Sequence, residues 1–114
     1  MLEAVPEAIY NYFRAAEQGD LPRLLDCFTE DATVLDEDKT YQGRNEIRVW
    51  RESVATRYTY TTEVLGTEAR GPETYVVNTR LEGDFPGGRV DLPYAFTLSN
   101  GLINSLGIEE DRHR

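Results

Sequence analysis

Histidine and cysteine, which carry much of the proton relay, nucleophilic attack and metal ligation done by enzymes, occur here once each. The one histidine, His113, is the penultimate residue of the sequence, within a stretch (110–114) expected to be a solvated tail. A histidine ligand cluster or a serine–histidine pair is therefore excluded, and no metal is expected. Cys27 has no internal disulfide partner, and its neighbours Leu24, Leu25 and Phe28 suit a small buried thiol. Missing too are a glycine-rich phosphate loop and a serine in a glycine elbow. No apolar run approaches the roughly 18 residues of a membrane span, and residues 1–13 lack the basic start and apolar stretch of a secretory signal, so the cytoplasm is the expected compartment. Basic residues are also scarce. Twelve against twenty-one acidic ones give a formal net charge of −9, which disfavours nucleic acid and anionic lipid as partners.

What is present is periodicity. Ile9, Tyr12, Phe13 and Ala16 fall on one helical stripe between Pro6 and Gly19. Asp20 is placed to cap a second short helix with Pro22 in its first turn and Leu21, Leu24, Leu25 and Phe28 on its apolar face. Ala32 to Asp36 reads as a strand, Glu37 to Lys39 as a turn and Thr40 to Gln42 as the return, ended by Gly43. A third helix is expected from Asn45 to about Ala55, with Ile47, Trp50 and Val54 inward and Arg48, Arg51 and Glu52 toward solvent.

Beyond Arg57 the period changes to two. Tyr58, Tyr60, Thr62 and Val64 share a face, as do Tyr75, Val77, Thr79 and Leu81 across a turn at Gly71 and Pro72. After a loop at Gly83 to Gly88, Val90, Leu92, Tyr94, Phe96 and Leu98 alternate with polar or small residues. Asn100 and Gly101 suit a tight turn into a last strand carrying Leu102, Leu106 and Ile108. Helices first and strands after define an α+β domain of residues 1–114, with its core over about 6–109 and three helices covering a long antiparallel sheet.

Three polar side chains fall on apolar faces. Tyr12 reads as either a core tyrosine bonded to backbone or a donor to a ligand; Tyr94, between Leu92 and Phe96, has the same two readings. Asp36 continues the face of Ala32 and Val34, or else simply opens the turn. Together they would suit proton abstraction beside a carbonyl, with Asp36 as base and the phenols donating to the oxygen that becomes negative. Such chemistry needs no cofactor. Trp50, Tyr60, Leu92, Phe96 and Leu106 are the side chains expected around an apolar small molecule, or else they fill core volume.

The segments "YFRAAEQGD", "FTEDATVLD", "YQGRNEIRVW" and "YAFTLSNGLI", with their "GD", F-x-x-DA and G-x-x-x-I spacings, resemble the SnoaL-like, nuclear-transport-factor-like superfamily from about Pro6 to Glu109. The resemblance implies a cystatin-like cone, a strongly curved, mostly antiparallel sheet enclosing a deep apolar pocket. Its members include ketosteroid isomerases, polyketide cyclases, limonene-epoxide hydrolase and scytalone dehydratase, beside binding and assembly domains without catalysis. Tyr12 matches the isomerase tyrosine that binds the oxyanion, and Asp36 its base. The second oxyanion donor, an aspartate in that family, is replaced by Tyr94 or, aligned on Pro93, by Ala95. Phe28 and Arg51 stand at two supporting tyrosines. Against limonene-epoxide hydrolase, Arg80 and Glu82 match an arginine and an acid, while Val34, Asp36 and Ile108 depart from it. Scytalone dehydratase uses pocket histidines that this chain lacks. The resemblance also implies a homodimer through the outer sheet face, near Ala95 and Thr97. The function expected is a cofactor-independent isomerase or cyclase acting on a ring compound, or alternatively a noncatalytic small-molecule-binding or assembly domain.

Overall fold

The computed structural model of the chain describes residues 5–108, so His113 and the expected tail of residues 110–114 lie outside the described residues. The first helix, α1 (Glu7–Gln18), ends at Gly19, whose positive φ of 69° is the left-handed conformation glycine adopts without steric cost. The next residue begins the following element. Asp20 accepts a hydrogen bond from the Arg23 amide at 3.2 Å and so caps α2 (Leu21–Leu25). The α2 helix stops before Phe28, which opens β1 (Phe28–Asp36) instead of completing the helix's apolar face.

Strand β1 returns through β2 (Lys39–Gln42) around Glu37 and Asp38, both at positive φ. The third helix, α3 (Gly43–Arg57), starts two residues earlier than its apolar stripe suggests. Glu46 explains the start, because its carboxylate accepts from the Gln42 amide at 2.7 Å and satisfies a donor at the helix entry. Arg44 then donates to the Phe28 carbonyl and fastens this helix to β1. Tyr58 terminates α3 in extended conformation, so the next strand begins only at Tyr60.

The remaining strands, β3 (Tyr60–Ala69), β4 (Thr74–Gly83), β5 (Arg89–Ser99) and β6 (Leu102–Ile108), are successive antiparallel neighbours. Asn100 and Gly101, both at positive φ, make the tight turn into β6. The six strands are ordered β2-β1-β6-β5-β4-β3 in one sheet, antiparallel except where β1 pairs with β6. A parallel pair needs a long crossover, and here it is everything between β1 and β6. The fold is thus α+β with a mostly antiparallel sheet. Its core joins Ile9, Tyr12 and Ala15 of α1, Ile47, Trp50 and Val54 of α3, and inward residues of β1, β4, β5 and β6.

Candidate active site

A cavity of about 610 Å³ opens between α3 and the sheet. Its sheet wall is built by alternation: Leu81, Val90, Leu92 and Tyr94 come from β4 and β5, with Tyr60 from β3 and Ile108 from β6. The facing wall is the inward stripe of α3, with Trp50, Arg51 and Val54. Glu37, Asp38, Arg57, Tyr58, Phe85 and Pro86 surround it as well. Arg57 and Glu37 pair at 3.4 Å, and Tyr58 meets Phe85 edge-on at 5.9 Å between ring centres.

Asp36 lies in this cavity at the last position of β1. Its partner across the parallel pair is Ile108, and Ile108 pairs in turn with Tyr94, so the three form one row across β1, β6 and β5. Two strand spacings put the Cα atoms of Asp36 and Tyr94 about 10 Å apart. The indole N–H of Trp50 donates to Oδ2 of Asp36 at 2.9 Å. Burial raises the carboxyl's pKa above its ordinary value; the Trp50 hydrogen bond opposes this, Glu37 adds to it, and Arg57 and Arg51 oppose it.

Tyr94 is also part of the lining, and its phenol is held neutral chiefly by burial. Ala95, the other residue matched to that position, is on the exposed face of β5. Tyr12 is 1% exposed, beneath the cavity, with its ring edge-on to Phe13, Phe28 and Phe96. Its hydroxyl is buried with no hydrogen-bond partner among the described residues. Burial raises the Tyr12 pKa, Arg51 pulls it back, and Tyr60 and Asp36 add to the rise, so the hydroxyl lies within electrostatic reach of three lining residues. A polar atom in that state costs free energy until something bonds to it.

Of the expected ligand contacts, Trp50, Tyr60 and Leu92 line the cavity. Phe96 and Leu106 do not: Phe96 is packed beneath Tyr12 and Phe13, and Leu106 pairs with it across β5 and β6. The expectation that Arg51 faces solvent is corrected. Arg51 follows Ile47 by four residues and precedes Val54 by three, so it shares their inward stripe, and its charge alone suggested solvent. Burial favours its neutral form, but the Tyr12, Tyr60 and Tyr94 hydroxyls around it more than offset that. Arg80 and Glu82 stand outside the lining, committed to exposed pairs with Asp91 at 2.8 Å and Arg89 at 2.9 Å. Cys27 donates weakly to the Arg23 carbonyl at 3.5 Å, and burial, with Asp26 adding and Arg23 opposing, pushes its thiol up to about 11. Among the described residues, no group of three or more histidine, cysteine, aspartate or glutamate side chains is placed to hold a metal ion, and no helix is long and apolar enough to cross a membrane.

An acid with a raised pKa, two phenols and a cation around a cavity of mixed polar and apolar lining are groups capable of proton transfer. Residues 9–105 match the SnoaL-like domain family, and the chain belongs to it. A provisionally assigned polyketide cyclase from Sinorhizobium meliloti is 31% identical, with 96% of this chain and 99% of that one covered and a TM-score of 0.91. SalBIII, an epoxide hydrolase/cyclase-like enzyme with a role in pyran ring formation in the polyether salinomycin, is 25% identical over 91% of this chain and 88% of its own, with a TM-score of 0.79. The Mycobacterium tuberculosis protein RV0760c, solved with estradiol-17beta-hemisuccinate, shares the fold at 14% identity, with 91% of each chain covered and a TM-score of 0.77. No protein with a curated description matches the sequence.

Proposed function

We propose that residues 6–109 act as one cone-shaped domain that takes an apolar ring compound into this cavity. There it moves a proton beside a carbonyl, as a cofactor-independent isomerase or cyclase. The observation that carries the reading is Asp36: a partly desolvated carboxylate, oriented by Trp50 and in one cross-strand row with Tyr94. Desolvation makes it a stronger base than a surface aspartate. Asp36 accepts the proton, the electron pair of the broken C–H bond forms a C=C bond, and the carbonyl pair moves onto oxygen. Tyr94 and the unpartnered Tyr12 hydroxyl are the candidate donors to that oxygen. The enolate is then reprotonated at carbon, which isomerises the compound, or attacks a second carbonyl within it, which closes a ring. Trp50, Tyr60 and Leu92 contact the ring compound, while Phe96 and Leu106 back the wall. The similarity to SalBIII and to the Sinorhizobium protein supports cyclisation as the class of outcome. A homodimer through the outer sheet face near Ala95 and Thr97 completes the reading.

The test is deuterium exchange into the α position of 2-tetralone, a bicyclic ketone, followed by NMR in deuterated buffer. The parent protein should accelerate exchange, and Asp36→Asn should lose about 100-fold or more of that acceleration. Saturable binding without acceleration would overturn catalysis and leave a noncatalytic binding domain.

A further inference from the structure

Arg51 lines the cavity, and the proton transfer assigned to Asp36 does not use it. Arginine is cationic at any accessible pH, and a cation drawn into a part-buried wall ordinarily has an anionic partner. None of the ion pairs among the described residues includes Arg51: Arg57 is with Glu37, Arg80 with Asp91, Arg89 with Glu82, and Asp36 is held by Trp50. Asp36 is near enough to feel the guanidinium's charge, but its hydrogen bond goes to Trp50. Trp50 offers its ring face at 5.3 Å, and the Tyr12, Tyr60 and Tyr94 hydroxyls lie within electrostatic reach. The Tyr12 hydroxyl among them is buried and finds no acceptor among the described residues. A cation in no ion pair thus lines the cavity, with a phenol that lacks an acceptor buried within its electrostatic reach.

We infer that Arg51 anchors a carboxylate carried by the ligand, so that a ring or ring-forming keto acid is bound in preference to a neutral ring ketone. This rests on the reading of the cavity as the substrate site. A carboxylate supplies what is missing in one group: its two oxygens match the planar guanidinium fork, and either can also accept from the Tyr12 hydroxyl. The acidic residues Glu37 and Asp38 also border the cavity, but Arg57 already engages Glu37. A charge-assisted bond of this kind discriminates acid from neutral isostere by about 10- to 100-fold.

The experiment is isothermal titration calorimetry of the chain with 2-naphthoate and with 2-naphthamide, which has nearly the same shape and no charge. The parent should bind the acid at least tenfold more tightly. Arg51→Gln should bring the acid's affinity down to that of the amide, and Arg51→Lys, which keeps the charge and loses the fork, should retain part of the preference. Equal binding of acid and amide by the parent overturns the carboxylate anchor while leaving the cavity reading intact. Binding of neither compound overturns both. Should Arg51→Gln fail to fold, the parent's affinity ratio and Arg51→Lys decide the matter: a preference undiminished in Arg51→Lys refutes recognition by the fork.

Discussion

Replacing Trp50 with phenylalanine separates the hydrogen bond on Asp36 from the aromatic packing around it. Trp50 is 2% exposed, and its indole N–H is the donor to Asp36 Oδ2 at 2.9 Å; phenylalanine keeps a ring there and cannot donate. A hydrogen bond to an ionised acceptor contributes about 1.5–3 kcal/mol and one to a neutral acceptor about 0.5–1.5 kcal/mol. The ionised carboxylate therefore loses about 1–1.5 kcal/mol more than the protonated form, or roughly one pKa unit. Asp36 is only part-buried, so solvent screening trims this to about half a unit to one unit, upward. Carboxyl carbon NMR through a pH titration reads it directly, with Asp36→Asn assigning the signal. The linked effect on stability has a fixed sign. The folded pKa of Asp36 already exceeds its ordinary 3.8, so its contribution is fully present below that value and lost as pH rises through the folded pKa. Raising the folded pKa further makes Trp50→Phe lose more stability at neutral pH than in acid, by about 1 kcal/mol. The packing lost with the indole is the same at both pH values and drops out of the comparison. An Asp36 pKa that stays put or falls would refute the assignment of Trp50 as the group holding the carboxylate.

Asp36→Asn keeps an acceptor for Trp50 without the charge, so calorimetric melting should find it more stable than the parent at neutral pH, with the gap closing as pH falls through the folded pKa and gone below about 3.8; a gap that widens in acid contradicts the raised pKa. Tyr12→Phe removes a buried hydroxyl that has no partner, a group whose desolvation costs about 1–3 kcal/mol. Its denaturant midpoint should therefore be unchanged or higher while affinity for a ring ligand falls, and a clearly lower midpoint would mean the hydroxyl is bonded in the unliganded protein. Gly83→Ala would put a Cβ 2.5 Å from the Tyr60 Cβ and 2.8 Å from its Cα, beside the Thr59 carbonyl, at the pairing of β4 with β3. Urea unfolding should register a loss of about 1–3 kcal/mol or more, since backbone atoms cannot step aside as a flexible side chain could; parental stability would show that β3 shifts freely.

Most of the fold is legible because its signals are local. The turn at Gly19 and Asp20, the turn at Asn100 and Gly101 and the alternation of β5 each need only neighbouring residues to be read. The parallel pairing of β1 with β6 is different, because nothing within "FTEDATVLD" says which distant strand will lie beside it. Phe28 fits a helical face by spacing, yet α2 is five residues long and ends before it. Periodicity counts apolar positions; it does not say where a helix runs out of hydrogen bonds.

The site follows the same division, and Arg51 marks where it falls. Asp36 and Tyr94 occupy inward positions of their strands, so alternation is enough to raise them as candidates. Register across β1, β6 and β5, a property of the assembled sheet, is what brings them into one row. Arg51 carries the same kind of local signal, since positions 47, 50, 51 and 54 make one continuous helical face. Its charge argued for solvent, and on a helix packed against a filled core that argument would have prevailed. Here α3 faces a cavity, where an inward charge is compatible with folding because the space before it stays open. A charged residue on an apolar stripe is therefore evidence about the stripe's partner: here it marks the part of the helix that faces a void.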